Sequence, residues 1–154
     1  MNARTFLPIR ELVPHQGEMV LLDHVVSANA DSLCAAVTIG AHSVFFDGAG
    51  VGSWVGIEYM AQAIAAHAGY QAVQRGEPVR VGFLLGSRRY LCSVPLFRAD
   101  QVLHVHAQHV LQGENGLAAF DCRIMDAATQ ASLATGTLTV FQPDNVNEFL
   151  QRSF

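Results

Sequence analysis

Glu58 is the residue from which a chemical reading of this chain starts. It follows Phe45-Phe46-Asp47-Gly48 and then Gly50, Gly52 and Ser53, and it sits early in the apolar, alanine-rich stretch that begins at Trp54. A carboxylate placed there is expensive to desolvate, so it needs a partner or a task. The glycines ahead of it leave the N–H groups around Gly52, Ser53 and Trp54 approachable, and unpaired N–H groups at a helix start attract negative charge. An acid beside ready-made oxyanion donors is equipment for acyl chemistry. Gln62 stands one helical turn after Glu58 on the same face and can orient the carboxylate.

Proton transfer needs a second group. Of the seven histidines, His15 follows Pro14 in a turn-forming dipeptide, and His42 lies two residues before Val44. Asp47 is a further candidate base. His104 and His106 share one face of a strand, and such a pair can bind metal. His109 falls on the opposite face, however, and no third ligand has convincing spacing, so a solvated sheet face is expected, with no metal and no cofactor. The glycines at 48–52 lack the strand–turn–helix context of a nucleotide fingerprint.

The elements that must hold these groups follow from a change of period. Residues 18–28 and 31–39 read as two strands joined by a turn at Asn29-Ala30-Asp31. Ser53 is a natural N-cap for a helix over about 54–74, and Gly76 supplies its stop. Ile57, Met60, Ala61, Ile64, Ala65 and Ala68 keep helical spacing, with small residues all round, as expected of a helix wrapped on several sides. Four strand-like runs follow near 79–92, 99–112, 116–126 and 131–141, with turn signals at Val94-Pro95, Gly113 to Gly116 and Asp126-Ala127-Ala128. One long helix against about six strands predicts an α+β domain over 1–154, an antiparallel sheet curved round a central helix in the hotdog manner.

Composition narrows the setting. Of the 154 residues 51% are hydrophobic and only 14% charged, which predicts a buried subunit interface. An open sheet edge points the same way, to a homodimer or a larger even-numbered oligomer. The net charge of −4 argues against nucleic acid as a partner. No stretch approaches the roughly 20 apolar residues of a membrane span, and no secretory signal pattern opens the chain. Cys34, Cys92 and Cys122 are isolated, consistent with reduced thiols in the cytoplasm.

Four segments in order resemble the 3-hydroxyacyl-[acyl-carrier-protein] dehydratases. Pro14-His15 followed by Leu21-Leu22-Asp23-His24-Val25 resembles their opening, and Phe45-Phe46-Asp47-Gly48 their Phe-Phe-x-Gly. Glu58-Tyr59-Met60-Ala61-Gln62 resembles their Glu-x-Met-Ala-Gln helix, and Gly86 through Tyr90 with Pro95 and Asp100 their Arg-Phe strand. The similarity spans about residues 8–141. It implies a hotdog fold and dehydration of 3-hydroxyacyl thioesters to trans-2-enoyl thioesters on an acyl carrier protein, in fatty-acid or aryl-polyene chain building.

One departure stands out. Those enzymes carry a histidine base directly after the glycine of their Phe-Phe-x-Gly motif, where this chain has Ala49, and the path from Gly48 to Glu58 is shorter. The pattern is closer to the divergent dehydratase-like subunits of aryl-polyene clusters. On this resemblance Glu58 is the acid and His15, in a matched segment, the base. Gly52, Ser53, Trp54 and Gln62 would serve substrate binding, and Arg88 and Arg89 an acidic carrier protein or its phosphate. The missing histidine leaves open a subunit that completes a partner dehydratase. A thioesterase, which uses the same residue types, is the other alternative.

Overall fold

The computed structural model describes residues 8–15, 17–79, 83–113 and 116–142, with backbone alone for 83–85. The described chain opens with one helical turn, α1 (Ile9–Leu12), and then a 3-10 turn at Gly17–Met19. The first hairpin, β1 (His24–Ala28) and β2 (Ser32–Thr38), closes where Asn29 accepts the N–H groups of Asp31 and Ser32 on its side-chain oxygen. Residues 18–23 therefore do not extend the first strand as expected from their apolar pattern. The 3-10 turn, with Gly17 at φ 59°, takes up part of this stretch, and the Leu21 N–H goes to the Gln62 side chain.

A short strand β3 (Gly50–Gly52) and a 3-10 turn at Ser53–Val55 lead into the long helix α2 (Gly56–Gln74). Ser53 makes no side-chain cap bond, contrary to the expectation above. The turn ahead of α2 is already helical, and the Ser53 carbonyl accepts the Gly56 N–H, so a separate capping hydroxyl has no role there. The stop is as expected. Gly76 takes φ 69°, its N–H reaches Val73 O, and the Glu77 N–H reaches Ala72 O, a Schellman closure.

The remaining strands are β4 (Phe83–Cys92), β5 (Leu96–Arg98), β6 (Val102–Gln112), β7 (Leu117–Asp126) and β8 (Ser132–Phe141). Six form one antiparallel sheet in the order β1-β2-β6-β7-β8-β4, leaving β1 and β4 as its outer strands. Leu33, Ala35, Val37, Leu103, Val105, Ala107, Ile124 and Leu138 are buried in one core cluster with Met60, Ala63 and Ala66 of α2. Each large aliphatic side chain buried this way contributes roughly 1.5–3 kcal/mol. Helix α2 buries residues all round, which is why its sequence shows small residues on every side.

A second sheet, β3 paired with β5, is not legible from periodicity because each strand has three residues. A Cβ on Gly50 would collide with the Phe97 carbonyl, so this pairing requires glycine. Among the described residues no helix is long and apolar enough to cross a membrane.

Candidate active site

Two contacts bring the N-terminal segment to α2. Helix α1 lies on α2 where Gly69 presents no side chain; a Cβ there would collide with the Leu12 carbonyl. Farther along, the fully buried Gln62 accepts the Leu21 N–H at 2.9 Å and donates to Met19 O at 2.6 Å. Between these two anchors stands His15.

The result is a side-chain pair. His15 Nε2 lies 3.6 Å from Glu58 Oε1, and Gln62 Nε2 donates to the same carboxylate oxygen at 3.3 Å. Glu58, third residue of α2, keeps 41% of its side-chain surface exposed, and His15 keeps 27%. The carboxylate is thus not sealed in apolar surroundings by this chain alone, as its sequence context had implied. The separation also leaves no space for a carbon between the two groups, so a substrate must lie across the pair. His15 Nδ1 is buried and has no hydrogen-bond partner among the described residues, where a local acceptor was expected to fix the tautomer.

The pair opens onto a cavity of about 560 Å³. Ala61, Ala65 and Ala68 of α2 form one wall, and Phe120, Ala118 and Val140 stand in the sheet wall. The lining reaches from Glu58 to Gln71, a span of about 20 Å at the helical rise. Small residues at successive turns of α2, expected from the sequence to let other elements wrap the helix, also leave this trough open. Phe120, which the sequence did not single out, packs its ring against His67 at 5.9 Å and His109 at 5.1 Å. Burial holds the His67 imidazole below its ordinary pKa, with its Nε2 3.1 Å from the Asn29 carbonyl oxygen.

The other candidates lie elsewhere. His42 is exposed and lines a separate hollow with Asp23 and Tyr59. Asp47 Oδ1 accepts the N–H groups of Gly50 and Ala49, both at 2.9 Å, and those bonds hold its pKa below the usual value. A carboxylate so occupied is a turn brace and a weak base. His104 and His106 stack edge to face at 6.5 Å, and His106 Nε2 lies 3.7 Å from Cys34 Sγ. No group of three metal-ligating side chains occurs among the described residues.

Of the proposed substrate-binding residues, only Gln62 touches the pair, and it does so from a buried position. Ser53 gives its N–H to Pro95 O at 3.1 Å, so that donor is engaged. Gly52 belongs to the small sheet, opposite Leu96. Trp54 is 63% exposed and packs edge to face on Phe45 at 5.1 Å. Arg88 and Arg89 are exposed on the outer strand β4, and neither lines the cavity.

With this geometry in hand, similarity to known proteins is informative. A family model for ApeP-like dehydratases matches residues 7–151. Among solved structures, the dehydratase heterocomplex ApeI:P of Xenorhabdus doucetiae is 33% identical over 96% of this chain and 97% of that chain, with a TM-score of 0.86. Zebrafish thioesterase superfamily member 2 shares the fold at 14% identity, covering 88% of this chain and 92% of that chain, TM-score 0.66. A hypothetical thioesterase of Streptococcus pneumoniae TIGR4 does so at 16% identity, covering 77% and 84%, TM-score 0.58. No curated protein sequence matches. The low-identity likenesses speak to the hotdog fold alone, whereas a match over nearly the whole length decides the family: the chain belongs to the ApeP-like dehydratases.

Proposed function

We propose that the chain eliminates water from 3-hydroxyacyl thioesters on an acyl carrier protein, in aryl-polyene-type chain building, within a heteromer with a second dehydratase-like subunit. The observation that carries this is the His15–Glu58 pair, 3.6 Å apart at the mouth of an alanine-floored trough. The acyl chain lies in the trough with its C2 and C3 across the pair. His15 Nε2 takes the C2 proton, Glu58 gives its proton to the departing 3-hydroxyl, and the electron pair left on C2 closes the C2–C3 double bond. Each transfer by a positioned group supplies about 10²–10⁴-fold. Gln62 holds the carboxylate and fixes the chain that carries His15.

Two features favour a partner over a self-sufficient protomer. Glu58 is 41% exposed, and a group that must hold a proton near neutrality works best with water excluded. A ring that accepts on Nε2 carries its hydrogen on Nδ1, which has no acceptor among the described residues. The outer strand β4 offers an open edge to a second subunit, and Arg88 and Arg89 would then stand near the seam, where an acidic carrier protein could approach. The cytoplasm is the compartment that fits a carrier-bound substrate.

The test is incubation of the purified chain, alone and with a candidate partner dehydratase, with 3-hydroxyacyl-carrier-protein thioesters, read by mass spectrometry. Loss of one water from the acyl group supports the proposal, and loss only with the partner supports the heteromer. Release of free carrier thiol would replace it with the thioesterase reading.

A further inference from the structure

Tyr90 lies outside the trough, yet it is tied to the segment that aims the site. Its phenol donates to the Ser53 carbonyl at 2.6 Å, onto the oxygen that also accepts the Gly56 N–H. A bulge in β4 delivers it. Arg88 opposes Thr137 and Leu91 opposes Thr135, so Arg89 and Tyr90 together face Gly136. Arg89 takes φ 55°, a conformation uncommon for a residue with a side chain. Gly136 gives the ring its space: a Cβ there would stand 3.4 Å from Tyr90 Cδ1. On the helix side, a Cβ on Gly56 would collide with the Tyr90 hydroxyl. Burial, with Cys92 adding to it, pushes the phenol up, so it remains a donor at neutral pH.

The direction of that bond matters. None of the described peptides is cis, so the Ser53 C=O and the Trp54 N–H of one planar unit point opposite ways. The carbonyl faces Tyr90, and the Trp54 N–H faces away from it. Glu58 lies two residues beyond Gly56, about 200° round the helix from the surface Tyr90 touches. The Ser53 carbonyl accepts the Gly56 N–H and so lies along the helix axis, which directs the Trp54 N–H out of the N-terminal end, and Glu58, four residues after Trp54, stands on the same helix face as Trp54.

We propose that Tyr90 is a positioning residue for the dehydration, holding the Ser53–Trp54 peptide so that the Trp54 N–H meets the thioester oxygen. This rests on the dehydratase reading above. As His15 removes the C2 proton, the electron pair moves onto the thioester oxygen and then returns to expel the hydroxyl, which leaves as water with the Glu58 proton. The hydrogen bond into the Ser53 carbonyl polarises the peptide and strengthens its N–H where that charge develops. Tyr90 touches neither the substrate nor a proton in transit.

Tyr90→Phe removes one hydroxyl and keeps the ring. The expected result is a fall in kcat of about 10-fold or more with KM changed less than threefold, equal across the pH profile. Trp54 is the single tryptophan of the chain and adjoins Ser53, so its fluorescence anisotropy should fall in the same variant, with no substrate present. Gly56→Ala should lower kcat in the Tyr90 background and cost less in the Tyr90→Phe background, where the closest clash, with the hydroxyl, is gone and those with Ile124 Cδ1 and the ring Cζ remain. A Tyr90→Phe protein with wild-type kcat and wild-type Trp54 anisotropy would overturn the proposal. A shifted pH profile would also overturn it, by making Tyr90 a proton carrier. If the wild type dehydrates no thioester even with a partner, the functional reading fails, while the anisotropy still decides whether Tyr90 anchors the turn.

Discussion

Gln62→Glu replaces one atom group in a fully buried side chain, and its consequences can be worked from three hydrogen bonds. The amide donates to Met19 O at 2.6 Å and to Glu58 Oε1 at 3.3 Å, and accepts from the Leu21 N–H at 2.9 Å. An ionised carboxyl can keep only the third. The new carboxyl would sit where the amide is fully buried, and burial disfavours its charged form, so it titrates roughly 2 units above the ordinary glutamate value near 4.3. Protonated, its single O–H donates to Met19 O and only the long 3.3 Å contact to Glu58 is given up. Its folded pKa is raised, so the variant should match wild-type stability below about pH 4 and lose stability as pH rises through about 6. Thermal melts of both proteins from pH 4 to 8 read this directly. A Tm difference that is flat with pH would refute the burial and pairing assigned to Gln62.

Three further outcomes follow from the same site. Glu58→Gln and His15→Ala should each lower turnover by about 10²-fold or more while leaving the melt nearly unchanged, since neither side chain is core; activity within a few-fold of wild type, measured on the partnered protein, would remove that residue from the mechanism. Ala65→Phe should fill the trough, so that kcat/KM for long acyl chains falls about 10-fold or more while four-carbon substrates are processed normally. Equal losses for both lengths would mean the chain does not lie along α2. Gly69→Ala should cost about 1–3 kcal/mol by pushing α1 off the helix, seen as a lower urea midpoint together with lost turnover, because His15 moves with α1.

The long helix, its glycine stop and most strands of the sheet were legible because each follows one periodicity or one turn signal. Gly76 ends α2 by a local backbone rule that a single residue announces. The N-terminal segment was not legible, since residues 18–23 alternate like a strand but are held by Gln62, some forty positions away. The β3–β5 pair escaped for the opposite reason: three residues carry no period. His15 was singled out through a matched motif and not through any pattern that predicts its distance from Glu58. Tyr90 gave no chemical signal, because its direction depends on a bulge that only the pairing with β8 defines.

That pairing also sets an order of events during synthesis. Strand β4 lies at the sheet edge, and its partner β8 begins about 40 residues later in the chain. At roughly 5–20 residues per second, β4 emerges from the ribosome seconds before the strand that covers it. Through that interval both of its backbone edges are open, and Leu91, 68% exposed even when folding is complete, adds an apolar surface to them. The adjacent Arg88 and Arg89 place two positive charges on that strand. Like charges repel, so two positive charges on one open edge disfavour its pairing with the same strand of a second nascent copy.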